Sequence, residues 1–187
     1  MPFGEQNRWR LSEEQGGGAE LRSGGRIRTV AVLVATLCAL FATACDRGDH
    51  PARIGAPAPE FTVADGAQSV NLAKLRGHVV ILNFWATSCF PCVEEVPSLV
   101  ELQHQMPAVT VVAISDDPDA AVYRQFLADN HVQFQTVRDT SERVRSLYGT
   151  VKIPETYVID SNGILRRKFV SAQNWTSPEI MNYLGKL

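Results

Sequence analysis

Cys89-Phe90-Pro91-Cys92 stands where a predicted buried strand gives way to a predicted helix, and that placement constrains the chain more than any other feature. Val79-Val-Ile-Leu-Asn-Phe-Trp-Ala86 is an almost unbroken apolar run, β-branched at its start. Such a run predicts a strand covered on both faces. After the Thr87-Ser88 break, apolar residues fall at Val93, Val96, Leu99, Val100 and Met106, which is helical spacing. Pro91 fits the first helical turn, where its missing N–H costs nothing. The thiols therefore sit at a helix N-terminus, whose free N–H groups and positive dipole end favour thiolate over thiol. An accessible cysteine of low pKa with a second one three positions on is equipment for thiol–disulfide exchange.

Two other uses of the same spacing compete with this one. Half of a zinc site needs two further ligands at suitable spacing. The other cysteines, Cys38 and Cys45, lie upstream in a different context, and the histidines (His50, His78, His104, His131) are scattered. No metal site is expected. A structural staple is the second alternative, yet a bridge across two residues constrains almost no chain.

The N-terminus differs in composition from the rest. Met1 to Gly25 is polar, without periodicity, and is expected to be disordered. Arg22, Arg26 and Arg28 precede Val30 to Ala44, fifteen residues without a charge. A charged start, an apolar centre and a small-residue end describe a secretory signal, too short for a span of roughly 20 apolar residues. Ala42-Thr-Ala-Cys45 resembles the lipobox of bacterial lipoproteins, with Ala42 where that pattern usually has Leu. Residues 1–44 are read as a leader, with Cys45 as its lipidation site, residues 45–58 as a flexible tether and 59–187 as the folded domain. A retained membrane anchor and a secreted form are the alternatives. Each places the domain outside the cytoplasm. The net charge of −2, with dispersed Lys and Arg, gives no reason to expect nucleic acid. Arg166-Arg-Lys168 reads as the solvated face of a strand.

Along the domain, Phe61–Val63 and Gln68–Val70 are expected to form a hairpin around Asp65-Gly66. Asn71 caps a short turn closed by Gly77. The Cys89 helix is expected to reach about Gln105, kinked at Pro97. A second buried strand follows at 109–114, then a helix from Asp119 to about Asn130 turning Val122, Phe126 and Leu127 inward. A strand at 132–137, a short helix at 142–148, strands at 156–159 and 164–170, and a helix opening at Ser177-Pro178 complete an α/β domain with a mixed sheet.

Phe84-Trp-Ala-Thr-Ser-Cys-Phe-Pro-Cys92, Glu95-Val-Pro97 and Ile153-Pro-Glu-Thr-Tyr-Val-Ile-Asp160 together resemble the thioredoxin superfamily. Within it the chain is similar to the membrane-tethered TlpA/ResA/DsbE group over about residues 54–187. The resemblance implies a central mixed β-sheet flanked by helices, with an N-terminal β-hairpin and a central insertion. It makes Cys89 the exposed nucleophile and Cys92 the resolving thiol, with no cofactor beyond a redox-active Cys89–Cys92 disulfide. Pro154 matches the family's cis-proline, beside which the backbone of Ile153 pairs with substrate. Trp85 and Phe90 become aromatics beside the site that meet the substrate without a chemical role.

Glu95 matches the buried glutamate of the group's Cys-x-x-Glu sequence. It is either a base for Cys92 and a charge acting on the thiols, or a carboxylate that only complements the helix dipole, as Glu94 does. Asn83 stands where classical thioredoxins carry an aspartate, and an amide cannot accept that proton. Ser88 replaces the usual tryptophan, and Phe90-Pro91 lacks the histidine of strongly oxidising relatives. The resemblance thus implies an extracytoplasmic reductase of protein disulfides, with apocytochrome c as a natural substrate, a membrane thiol donor and a lipid anchor. A copper chaperone and a peroxiredoxin-like peroxidase are the competing functions. The first usually spaces its cysteines by three residues, and the second needs a Thr and an Arg around its cysteine.

Overall fold

The computed structural model describes residues 54–187. The leader, Cys45 and most of the tether lie outside the described residues. An N-terminal hairpin of β1 (Thr62–Asp65) and β2 (Gln68–Asn71) leads through a 3₁₀ turn (Leu72–Leu75) into β3 (Val79–Trp85). Then come α1 (Phe90–Gln105), β4 (Val109–Ser115), α2 (Ala120–Asp129), β5 (Gln135–Arg138) and α3 (Arg143–Leu147). The chain closes with β6 (Glu155–Ile159), β7 (Leu165–Val170) and α4 (Pro178–Leu184). Five strands form one mixed sheet in the order β5-β4-β3-β6-β7, parallel from β5 to β3 and antiparallel from β3 to β7. This is a thioredoxin-like arrangement of a central sheet flanked by helices.

β3 runs through the middle and sorts the core by its period of two. Val80, Leu82 and Phe84 join one apolar cluster with Ile114, Tyr148 and Tyr157. Ile81 and Trp85 join the opposite cluster with Cys92, Leu99, Leu102 and Trp175. Asn83 therefore falls on the α1 face, the only polar residue in the strand. Leu99 and Leu102 dock α1 on that face, each burial contributing about 1.5–3 kcal/mol. Helix α1 continues through Pro97 to Gln105.

Four expectations change. Residues 55–58 are not tether: Gly55 N–H donates to Leu165 O (2.7 Å), Ala58 N–H to Gly163 O (2.9 Å), and Ala58 is buried. The folded part thus begins before residue 59. In α2 it is Tyr123 that is buried, while Val122 is exposed. The stripe runs through Tyr123, Phe126 and Leu127, because Tyr123 covers the core with its ring and satisfies its hydroxyl on Thr136 Oγ1 (2.8 Å). β5 is shorter than expected, since His131 takes a left-handed conformation (φ 52°) and the chain stays irregular up to Gln135. Finally, Arg166-Arg-Lys168 is no freely solvated face. Arg166 pairs with buried Asp160 (2.6 Å), Lys168 with buried Glu155 (2.8 Å), and Arg167 lies 4.5 Å above the Phe169 ring.

Candidate active site

The end of the central strand makes the site. Trp85 is the last residue of β3, and Cys89 caps α1 four positions later. Asp117 fixes the intervening bend: it accepts from Thr87 N–H (3.0 Å), Thr87 Oγ1 (2.6 Å) and Ser115 Oγ (2.6 Å). Cys89 has extended backbone, and its sulfur accepts the Cys92 N–H at 3.3 Å. That sulfur occupies the position of an N-cap oxygen, at the positive dipole end of a 16-residue helix. The two cysteines form a disulfide, with Cα atoms 5.2 Å apart. They differ in access. Cys89 is half-buried, whereas Cys92 is 1% exposed and packs in the α1-side core. An incoming group can reach only the first sulfur.

Glu95 lies one helical turn beyond Cys92 and is 2% exposed. Its Oε1 accepts from Trp175 Nε1–H (2.6 Å) and Gln173 N–H (3.0 Å), and its Oε2 accepts from Asn83 Nδ2–H (3.2 Å). The Asn83 amide also donates to Thr156 Oγ1 (2.8 Å) on β6. Ser98 Oγ donates to Glu95 O (2.9 Å) and receives Trp175 N–H (3.3 Å), tying the loop before α4 to α1. A carboxyl so enclosed is no surface helix-dipole partner. Burial is the strongest influence and raises its pKa above the ordinary 4.5, while the Trp175, Gln173 and Asn83 donors pull it back less.

The shift has a signed consequence. A carboxyl whose pKa is raised in the folded chain holds its proton more tightly there than in the unfolded chain. Stability therefore falls as pH rises from the unfolded to the folded pKa, and the cost is complete above the latter. Glu95→Gln keeps acceptors for Trp175 and Gln173 and cannot ionise. The variant should gain in melting temperature on the parent chain as pH rises from 4 to 8. Parallel melting curves over that range would mean that Glu95 ionises as in water.

Ile153-Pro154 is a cis peptide, leading into β6, whose first residue, Glu155, pairs with Phe84 of β3. Pro154 thus lies level with Trp85 at the same end of the sheet. Ile153 is half-buried and touches both core clusters. Phe90 projects into solvent at 71% exposure. Trp85 does not: it is buried, packed against Tyr123 and Phe126 with ring centroids 6.1 and 5.2 Å away. It offers no surface to a substrate and acts as core. Sequence reasoning missed Trp175, Gln173 and Thr156. Trp175 alone left a signal, as a lone aromatic in the polar stretch Asn174 to Ser177.

Among the described residues, no helix is long and apolar enough to cross a membrane, and no three His, Cys, Asp or Glu side chains cluster as metal ligands. Residues 54–168 match the AhpC/TSA family. The chain is 32% identical over 143 residues to the thiol-disulfide oxidoreductase ResA of Bacillus subtilis strain 168, covering 73% of this chain and 79% of that protein. It is 29% identical over 138 residues to ResA of Bacillus anthracis, covering 72% and 79%. A solved candidate thiol:disulfide interchange protein DsbE from Chlorobium tepidum superposes with a TM-score of 0.63 at 29% identity, covering 72% of this chain and 94% of that one. A half-buried cysteine capping a helix, a shielded partner one turn on and these relatives lead to one assignment: the chain belongs to the AhpC/TSA family and is a thiol–disulfide oxidoreductase of the ResA and DsbE type.

Proposed function

We propose that this chain is a reductase of protein disulfides outside the cytoplasm, tethered to the membrane, which keeps the CxxCH thiols of apocytochrome c reduced by acting on their disulfide. The unequal access of the two sulfurs carries the exchange chemistry, and the sparse stabilisation of the Cys89 thiolate carries the reducing direction. Cys89 thiolate attacks one sulfur of a substrate disulfide, and the other substrate sulfur leaves as a thiolate and takes a proton. Cys92 then loses its proton to the Glu95 carboxylate and attacks Cys89 Sγ, and the second substrate sulfur leaves as a thiolate that takes up a proton from water as Glu95 gives its own back to solvent. The substrate gains two electrons and two protons, and the chain is left with the Cys89–Cys92 disulfide. A membrane dithiol donor reverses that change, so no bound cofactor is needed. Phe90 and the backbone of Ile153 form the surface on which the substrate chain lies, and the buried Pro154 fixes that backbone from below.

Direction follows from what surrounds the thiolate. The helix terminus favours it, but neither Phe90 nor Pro91 adds a cation or a donor. A strong oxidant stabilises its reduced form far more. The extracytoplasmic reading rests on the apolar run Val30 to Ala44 after Arg22, Arg26 and Arg28, and the tether on Cys45. Equilibration with glutathione buffers should give a reduction potential near the roughly −270 mV of thioredoxin. A value near the roughly −120 mV of strong oxidants would reverse the direction of electron flow.

A further inference from the structure

Arg145 on α3 makes a set of bonds that the exchange chemistry itself does not use. Its Nη1 donates to Asp116 Oδ2 (2.9 Å) and Glu142 Oε2 (3.3 Å), its Nη2 to Val151 O (2.7 Å) and its Nε to Thr150 O (3.2 Å). Its own carbonyl receives Thr150 N–H (3.1 Å), closing the loop back on the helix. Asp116 directly follows β4, its carboxylate is nearly buried, and its N–H donates to Trp85 O (3.0 Å). One guanidinium therefore joins the chain that runs into Ile153-Pro154 to the strand ends from which Cys89 departs. Lysine could not do this, because its ammonium is a compact point charge rather than a fork of five planar donors.

The loop so held is unusual in what it exposes. Val151 has its carbonyl held by Arg145 while the residue is 75% exposed. Among the described residues, Phe90, between the cysteines, is the other large apolar residue exposed to this degree, at 71%. The backbone is anchored and the apolar side chain faces outward, two residues before Ile153.

We propose that Arg145, oriented by Asp116, is a positioning residue that clamps residues 150–153 to the end of β4 and so sets the surface on which a protein substrate docks beside Cys89. Docking to an apolar, preset loop loses less conformational freedom than docking to a mobile one. The inference rests on the reading that Ile153 and its neighbours receive the substrate chain.

Arg145→Lys keeps a charge for Asp116 but cannot also reach both carbonyls, and Arg145→Ala removes every bond. The probe is a synthetic peptide holding an oxidised CxxCH disulfide, reduced by the full chain with a small dithiol in excess as the terminal reductant, and the rate without the chain is subtracted. In both variants KM for the peptide should rise about fivefold to thirtyfold, as expected for the loss of one or two net hydrogen bonds, with kcat changed less than about twofold. NMR order parameters of Val151 and Lys152 should fall from about 0.85 toward 0.6 or below. Arg145→Lys with the parent's KM and loop order parameters overturns the clamp, and so does a fall in kcat at constant KM. If the parent chain leaves the peptide oxidised, the reductase reading fails, and the order parameters alone then decide whether Arg145 holds the loop. Should Arg145→Ala fail to fold, the KM and order parameters of Arg145→Lys decide between the clamp and its absence.

Discussion

Cys92→Ser should stop turnover, by about a thousandfold or more, and leave Cys89 joined to its substrate. The reason is access. Cys89 keeps its place at the helix terminus and still attacks, since it is half-buried and its cap bond comes from the backbone N–H of residue 92, which serine retains. What is lost is the shielded thiol that breaks the mixed disulfide. Serine is close in size and shape to the buried cysteine it replaces, so the fold should survive and the trapped species should accumulate. Captured proteins are expected to be extracytoplasmic, apocytochromes c or a protein passing electrons to them. Cys89→Ser should capture nothing. Affinity isolation of the Cys92→Ser chain followed by reduction and mass spectrometry decides the matter. Turnover of Cys92→Ser at the parent's rate would mean that Cys92 does not resolve the intermediate. Tight stoichiometric Cu(I) binding with no trapped partner would favour the copper-carrier alternative.

Trp175→Ala should be the most destabilising single change at the site. Trp175 is fully buried, packs at 5.2 Å on Phe169, and donates its Nε1–H to Glu95. Emptying a Trp site costs about 3–5 kcal/mol. Removing a donor from a buried carboxylate adds about 1–3 kcal/mol. Together these should lower the melting temperature by about 15–30 °C. Trp175→Phe separates the two contributions, because it keeps most of the volume and loses only the donor. That donor lowers the Glu95 pKa, so without it the pKa climbs further. The pH range over which stability declines then extends upward, and Trp175→Phe should lose more relative to the parent at pH 8 than at pH 5. Denaturant titrations at both pH values measure this. An equal loss at the two would reduce Trp175 to a space-filling role.

The parts of the site that were legible are those whose signals are local. Val79 to Trp85 reads as a buried strand because β-branched and apolar residues run unbroken, and strand and helix meet at Cys89 because Pro91 and the spacing of Val93, Val96 and Leu99 start a new period there. Asn71, Asp119 and Ser177 cap their helical turns with their own side chains, so each start could be read within four residues. Asn83 was legible as an anomaly, an amide within an apolar strand. Its partner was not, since Glu95 lies twelve residues on and Thr156 seventy-three.

Where local signals were ambiguous, the fold chose. Val122 and Tyr123 are adjacent, and either could begin an inward stripe. The choice went to the ring whose hydroxyl could find Thr136 across the core. Trp85 looked like an aromatic available to a substrate because sequence proximity to Cys89 carries no information about side. The alternation of β3 turned it inward. Residues 55–58 read as tether because Pro and Gly mark loops, yet their backbone groups found partners on the 163–165 turn.

The thiol pair, its place between a central strand and a helix, and the order of the strands' apolar patterns were determined by the sequence itself, because period, caps and turn residues act over a few positions. The environment of Glu95, the anchoring of residues 150–151 by Arg145 and Asp116, and the pairing of Lys168 with Glu155 were decided only by the tertiary structure. Each needs a buried charge to meet donors or a counter-ion from a distant segment. In a low-dielectric interior an unmet charge is too costly to keep, so the packing that brings these segments together also selects the partners.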